Sequence, residues 1–562
     1  MLITSSRQQA IHSIKVRGRA APLCRATYFR PEALYAQVQY RSLTIPPAAR
    51  RPQPQRGYQH PSQYQQRALT VVPEHIMSAS PSGETSTSPS QQLYNFISST
   101  TLNDIPHHLL ERSKYLILDG IACALTSAHM YHSELAAKAV SLQEPGNHGT
   151  SSVIGHPELK LSPVSAALLN STWIQGFELD DWHKDAPLHS NSIVIPALMA
   201  AAEHRYATGG VKTSGQDFLL AMAVGFEVGP RVGKALWGRH ILTEGWHSGA
   251  VFGPSAAAAG VSKLYNLDSE VVEDALGIAC TQACGLMSAQ FESDAKRMQH
   301  GFAARNGLFG ALMAKEGYTG IKKVYEREYG GFLEMFSKGN GKEPQYRLDE
   351  ISEGLGQDWS ALEGIVVKPY AAMAGTHMTV DCMKALQDEH AKMLAPDNLG
   401  QIKSITIRLD EPFFNHGGWR AEKPLNAIGA QMNNAFVGAM QLVERECLAA
   451  QFGPEKLEAG PVWDLVGKTT CELGQDYALG STEVEIVFED GTSIKKFLDK
   501  QKGVDPPMTN EEIVQKYRGL SKSVIEEGRM HKIEEAIVNL NKLQDLSVLV
   551  ELLTPVTRNP LA

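Results

Sequence analysis

Cysteine is scarce in this chain. Seven in 562 residues, an odd number, cannot form the disulfide framework of a secreted scaffold, and a reducing compartment is expected. Cys280 and Cys284 in "GIACTQACG" stand four apart as if on one helical face, but no second pair at zinc spacing accompanies them. They read as small buried hydrophobes. No uninterrupted apolar run is long enough to span a bilayer, so no membrane partner is expected. There is no GxSxG elbow, no dinucleotide fingerprint and no usable Cys–His nucleophile motif. "SKGNGKEP" (337–344) is Gly-rich but lacks the helix and spacing of a phosphate loop, and reads as a turn.

Acids are nearly missing from the first 70 positions, where ten arginines and Lys15 face Glu32 alone. The whole chain carries −8, so with +10 in the head the remainder holds −18. That acidic body argues against nucleic-acid binding. The head, rich in Ser, Gln, Pro and Ala, fits a mitochondrial presequence, an address rather than a fold. A disordered tail on a cytoplasmic protein is the alternative. Residues 72–90 continue it as a polar linker, so 1–90 is set apart from the folded body.

What is present, at 43% hydrophobic and 20% charged residues, suits a globular protein of two or more domains. From 91 to 365 helical periodicity dominates. "HHLLERSKYLILDGIACALTS" (107–127) places Leu110, Leu116, Ile117 and Ile121 near one face. Ala- and Gly-rich segments follow, predicting closely packed helices, with Gly225, Gly253 and Gly285 setting close contacts or helix ends. After 365 the texture changes. "IKSITIRLD" (402–410) alternates like a strand, and the runs flanking Asp490-Gly491 predict a hairpin. The fold expected is mainly α: a large helical domain (91–365), an inserted smaller α/β lid domain (366–505) and a closing helical segment (506–562). A substrate cleft belongs at their joint.

Four segments carry titratable groups beside apolar helices. "GFELDDWHKDAPLHSNSIVIPA" gathers acids and histidines where burial makes each charge costly. Asp180, Asp181, His183, Asp185 and His189 include metal-ligand types, yet they lie in a Pro-containing loop without HxxxH spacing, and no metal is expected. Lys184 and Asp185 read as solvated. His189 precedes a helix that Ser190 or Asn191 can cap, whose positive end favours an anion near the imidazole. "EGWHSGAVFGPSAAAAG" offers His247 among small neighbours, though a lone histidine there is more often a satisfied structural residue than a catalyst. "SAQFESDAKRMQHGFAARNG" clusters Lys296, Arg297, His300 and Arg305, which is either a solvated face or a lysine turned inward. "VVKPYAAMAGTHMTVDCM" holds Lys368 and His377. Residues alone suggest Lys and His acting on an anionic substrate without a cofactor.

Together "ELDDWHKDAPLHSNSIVIPA", "GWHSGAVFGPSAAAA", "AKRMQHGFAARNG" and "VKPYAAMAGTHM" resemble the MmgE/PrpD family from about residue 91 to the C-terminus. The runs "EDALGIACTQACGLMSAQ" and "YGGFLEMFSKGNG" are most similar to its fungal cis-aconitate decarboxylase branch. The resemblance implies a homodimer with a cofactor-free carboxy-lyase site acting on a small tricarboxylate, cis-aconitate or an alkyl-substituted form, giving itaconate and CO₂. Dehydration of 2-methylcitrate-type substrates and a catalytically silent scaffold are the other readings. It also implies that His189 is an active-site proton donor, His247 a second active-site histidine, and Lys296 and Lys368 anchors for substrate carboxylates. Glu178, Asp181 and His377 complete the expected substrate-binding set. Three departures accompany it: Glu178 stands where animal relatives have aspartate, Trp182 near their threonine, and Phe436 where a tyrosine is frequent. Phe436 would make one wall of the cleft more apolar.

Overall fold

In the computed structural model, residues 87–561 are described, and the basic head with most of its linker lies outside them. Helices dominate. The predicted stretch 107–127 forms one helix, His107–Ser127, burying Leu116, Ile117 and Ile121; Leu109 is buried in place of the expected Leu110. Against it pack Pro163–Ile174, Ser190–Ala207 and Gly215–Ala235, and Ser248–Leu264, Ser269–Cys280 and Ala295–Lys315 extend the bundle by packing on these helices and on one another. Small residues permit this density. A Cβ added at Gly307 would meet the Pro254 carbonyl oxygen at 2.5 Å, so the Ala295–Lys315 helix lies on Ser248–Leu264 almost backbone to backbone. Gly225 and Gly253 are likewise mid-helix contact points, whereas Gly285 takes φ +114° in a turn. No helix of the described residues is long and apolar enough to cross a membrane.

The strand signals after 365 are found where the alternation placed them. Ile402–Leu409 is the centre of a four-stranded sheet, paired in parallel with Thr469–Leu473 and antiparallel to Thr482–Phe488, which pairs in turn with Ser493–Leu498. Asp490-Gly491 is the turn of that last hairpin, with Gly491 at φ +86°. Ile405, Ile407 and Leu409 face inward, and Ala374–Glu389 packs across this sheet. The helix Asn510–Ser521 returns to pack on His107–Ser127. One expectation fails locally: the helix of Cys280 ends there, leaving Cys280 buried and Cys284 exposed beyond it. All cysteines of the described residues are free.

Candidate active site

The loop between Pro163–Ile174 and Ser190–Ala207 carries the titratable cluster, and the structure gives each of its three buried acids, Glu178, Asp180 and Asp181, a separate surrounding. Glu178, held at φ +57°, sends its carboxylate into a cage of cations. Oε1 accepts from Lys296 Nζ and from Arg297 Nη1 (2.9 Å), and Oε2 accepts from Lys368 Nζ at 3.0 Å. Lys296 and Arg297 open the Ala295–Lys315 helix; Lys368 follows the short strand Ile365–Val366, which pairs with Trp182–His183. Residues nearly two hundred positions apart thus converge on one carboxylate.

Asp180 accepts from His189 Nδ1 at 3.0 Å, which orients the ring and leaves its Nε2 edge for the cavity. Asp181 does something different. Its two oxygens accept the backbone N–H groups of Ser190 (3.0 Å) and Asn191 (2.9 Å) at the start of the helix that follows. This corrects two expectations. Neither Ser190 nor Asn191 is the cap, and the anion at that positive helix end is the protein's own Asp181, not a ligand. Asp181 does not line the cavity. Lys184 and Asp185 are exposed, as read.

A second ring of histidines stands behind His189. His300 donates or accepts at Ser192 Oγ (2.9 Å), and its ring centroid lies 4.7 Å from that of His189 and 5.0 Å from that of His247. Gly249 makes this possible, since a Cβ there would meet His300 Nε2 at 2.3 Å. Burial, reinforced by the Lys296 charge, pushes His247 down to about 3. Burial and the neighbouring His189 and His247 hold His300 well below the usual histidine range. Both are therefore neutral at pH 7, and His247 adds no positive charge to the lysines there.

The electrostatics of the cage are asymmetric. Burial raises the Glu178 carboxyl, but Lys296, Lys368 and Arg297 outweigh it and hold Glu178 well below the carboxylate range. Burial pulls the Lys296 ammonium down to about 8; Glu178 opposes the fall, and Arg297 and Lys368 deepen it. The two directions agree physically: three cations share one carboxylate, so the acid is over-compensated and each base under-compensated. An added anion would relieve that imbalance.

A cavity of about 120 Å³ opens onto Glu178, His189, His247, Lys296 and Lys368. Its other side is mostly apolar, with Leu242, Met287, Met373, Phe413 and Met432, while Arg239, Ser248, Gln290 and His416 supply further polar groups. Four of the predicted catalytic residues, with Glu178, are therefore brought together. His377 is not. It is buried away from the cavity, with Nε2 against the Ala372 carbonyl at 3.0 Å, and burial drives it to about 3. It shapes the turn after Lys368. Phe436 also misses the cavity: it is buried against Trp463 (centroids 5.7 Å apart), so the apolar wall comes from other side chains. Arg239, Gln290 and His416 escaped the sequence reading because isolated polar residues outside a motif give no signal.

The ligand types considered for a metal do not converge as a set, since His183 turns Nδ1 to the backbone N–H groups of Asp185 and Ala186. Asp180, His189 and His300 do bring donor atoms within 4.8 Å of one another. Asp180 and His189 are already hydrogen-bonded together, however, and the buried Lys296 charge beside them opposes a divalent cation.

Comparison with known proteins places this arrangement. The profile of the MmgE/PrpD N-terminal domain matches residues 91–345, and that of the MmgE/PrpD C-terminal domain matches 370–542. The "Cis-aconitate decarboxylase-like protein oryM" of Aspergillus oryzae is 47% identical over 473 residues, covering 82% of this chain and 96% of that protein. The "Cis-aconitate decarboxylase" of Aspergillus terreus is 46% identical over 478 residues, 84% and 96% of the respective chains. The protein of that name from Homo sapiens is 25% identical over 455 residues, 79% and 90%.

Proposed function

Because this chain belongs to the MmgE/PrpD family, we propose that its cationic cavity decarboxylates cis-aconitate or a close tricarboxylate relative, without a cofactor, to itaconate and CO₂. The fungal relatives of that name, matched over nearly their whole length, support the substrate class. The observation that carries the chemistry is the Glu178 cage: Lys296, Arg297 and Lys368 already hold one carboxylate in a buried setting and remain under-compensated.

Substrate carboxylates bind at Lys296 and Lys368, where charge-assisted contacts are stronger than in water. The carboxylate on the saturated carbon leaves as CO₂. The electron pair of the broken C–C bond forms a new double bond, and the former double-bond pair moves to the vinylic carbon, where the adjacent carboxylate delocalises it. Lysine cations aimed at that developing charge contribute about 2.7–4 kcal/mol each, by analogy with oxyanion donors. His189, oriented by Asp180, delivers one proton to that carbon, and the trianion plus one proton becomes itaconate dianion and CO₂. The substrate's own conjugation is the electron sink. The apolar side chains of Met373, Phe413 and Met432 come from the sheet-bearing part of the chain, which on this reading acts as a lid that excludes water.

A homodimer and mitochondrial delivery by residues 1–70 belong to the same proposal; the family likeness supports the first and the ten arginines against one acid the second. The test is incubation of purified protein with cis-aconitate and, separately, with citrate-type tricarboxylates. CO₂ and itaconate from the first support decarboxylation. Loss or gain of water without CO₂ shows dehydratase chemistry, and inertness toward both supports a scaffold.

A further inference from the structure

The cavity contains a second cation site that Glu178 does not neutralise. Arg239 lines it from the segment just ahead of the short helix His240–Thr243, a part of the chain separate from Lys296 and Lys368. Its guanidinium lies 5.2 Å over the Trp182 ring, which lines the same cavity. Nε (2.8 Å) and Nη2 both donate to the backbone carbonyl of Lys184, which leaves Nη1 without an acceptor among the described residues. The carboxylates whose fields reach it, Asp185 and Asp410, are not hydrogen-bonded to it, since both bonds its guanidinium makes among the described residues go to that carbonyl. Asp410 is committed elsewhere, capping Phe413 N–H and holding Gly480 N–H.

A half-buried guanidinium whose acceptor among the described residues is one neutral carbonyl is under-compensated, and an anion from the cavity would complete it. The fork is held on one side and backed by an aromatic face, so little side-chain entropy remains to be lost when an anion docks on the other. We infer that Arg239, held on Trp182, is the docking site for a third carboxylate and so a specificity-determining residue that selects tricarboxylates over dicarboxylates. This rests on the substrate class proposed above. Lys296 and Lys368 account for two carboxylates, and a trianion brings one more. Trp182 acquires a role too: it is the platform that fixes the guanidinium plane.

Binding of unreactive ligands tests this without requiring turnover. Calorimetry would compare propane-1,2,3-tricarboxylate with glutarate, which lacks the central carboxylate, and methylsuccinate, which lacks a terminal one. Wild type should bind the tricarboxylate most tightly. Arg239→Gln should weaken the tricarboxylate about ten- to a hundredfold while leaving the better dicarboxylate within about threefold, and Arg239→Lys should recover part of the loss. Equal weakening of all three ligands, or no weakening, overturns the inference. So does a wild type that binds the dicarboxylates as tightly as the tricarboxylate. If Arg239→Gln fails to fold by circular dichroism, Arg239→Lys carries the same comparison, with selectivity reduced about tenfold expected and unchanged selectivity contradictory. Arg239-dependent selectivity in a protein that releases no CO₂ from cis-aconitate would uphold the subsite and overturn the proposed reaction.

Discussion

Glu178→Gln is the most informative single change, because it removes one charge and almost no volume from the centre of the cage. Lys296 and Lys368 then lose their carboxylate partner, and Arg297 keeps only Gln431. Breaking a buried ion pair from one side costs about 3–5 kcal/mol, since the partner charge stays in low dielectric. Part of that is recoverable. Lys296, already down at about 8, would fall further and shed its proton near neutral pH, which relieves repulsion but removes an anchor. Urea unfolding of wild type and variant should therefore show a lower midpoint at unchanged slope, with the deficit larger at pH 6 than at pH 9. Propane-1,2,3-tricarboxylate should close much of the gap, because its carboxylates replace the missing one; at a hundred times its dissociation constant a ligand adds about 2.7 kcal/mol. A variant as stable as wild type, gaining no more from the tricarboxylate than wild type does, would refute the cationic-cage argument.

Two further changes address the chemistry. His189→Ala should keep the fold yet lower turnover at least about a hundredfold, as expected for loss of a placed general acid, measured by itaconate formation at saturating substrate; near-normal turnover would remove His189 from the proton-transfer step. In wild type, kcat/KM should fall as pH rises through about 8, because Lys296 then loses its charge, and Lys296→Arg should shift that alkaline limb upward since a guanidinium stays protonated. An identical limb in the variant would assign it to another group.

Much of this was readable in the sequence, and the parts that were not share a cause. Periodicity placed the His107–Ser127 helix, the strand Ile402–Leu409 and the hairpin at Asp490-Gly491, because those patterns report which faces are buried. The motifs named His189, His247, Lys296 and Lys368. What a sequence does not carry is the direction of a side chain within a loop. Asp180 and Asp181 are neighbours, yet one orients a histidine and the other caps a helix. His377 stands nine residues after Lys368 and turns to a backbone carbonyl. Arg239 required the folded cavity to acquire any meaning, since only there does its guanidinium face the site while hydrogen-bonded, among the described residues, to a carbonyl and not to a carboxylate.

The measurement that bears most directly on the central claim is the position of hydrogen in the product formed in deuterium oxide. Cis-aconitate incubated with the wild-type protein, followed by proton and deuterium NMR, should give CO₂ and itaconate carrying one deuteron in the saturated methylene and none in the terminal vinylidene. That labelling places protonation on the former vinylic carbon after loss of the carboxylate from the saturated one. Deuterium in the vinylidene group, or a hydrated tricarboxylate in place of itaconate, would contradict the account.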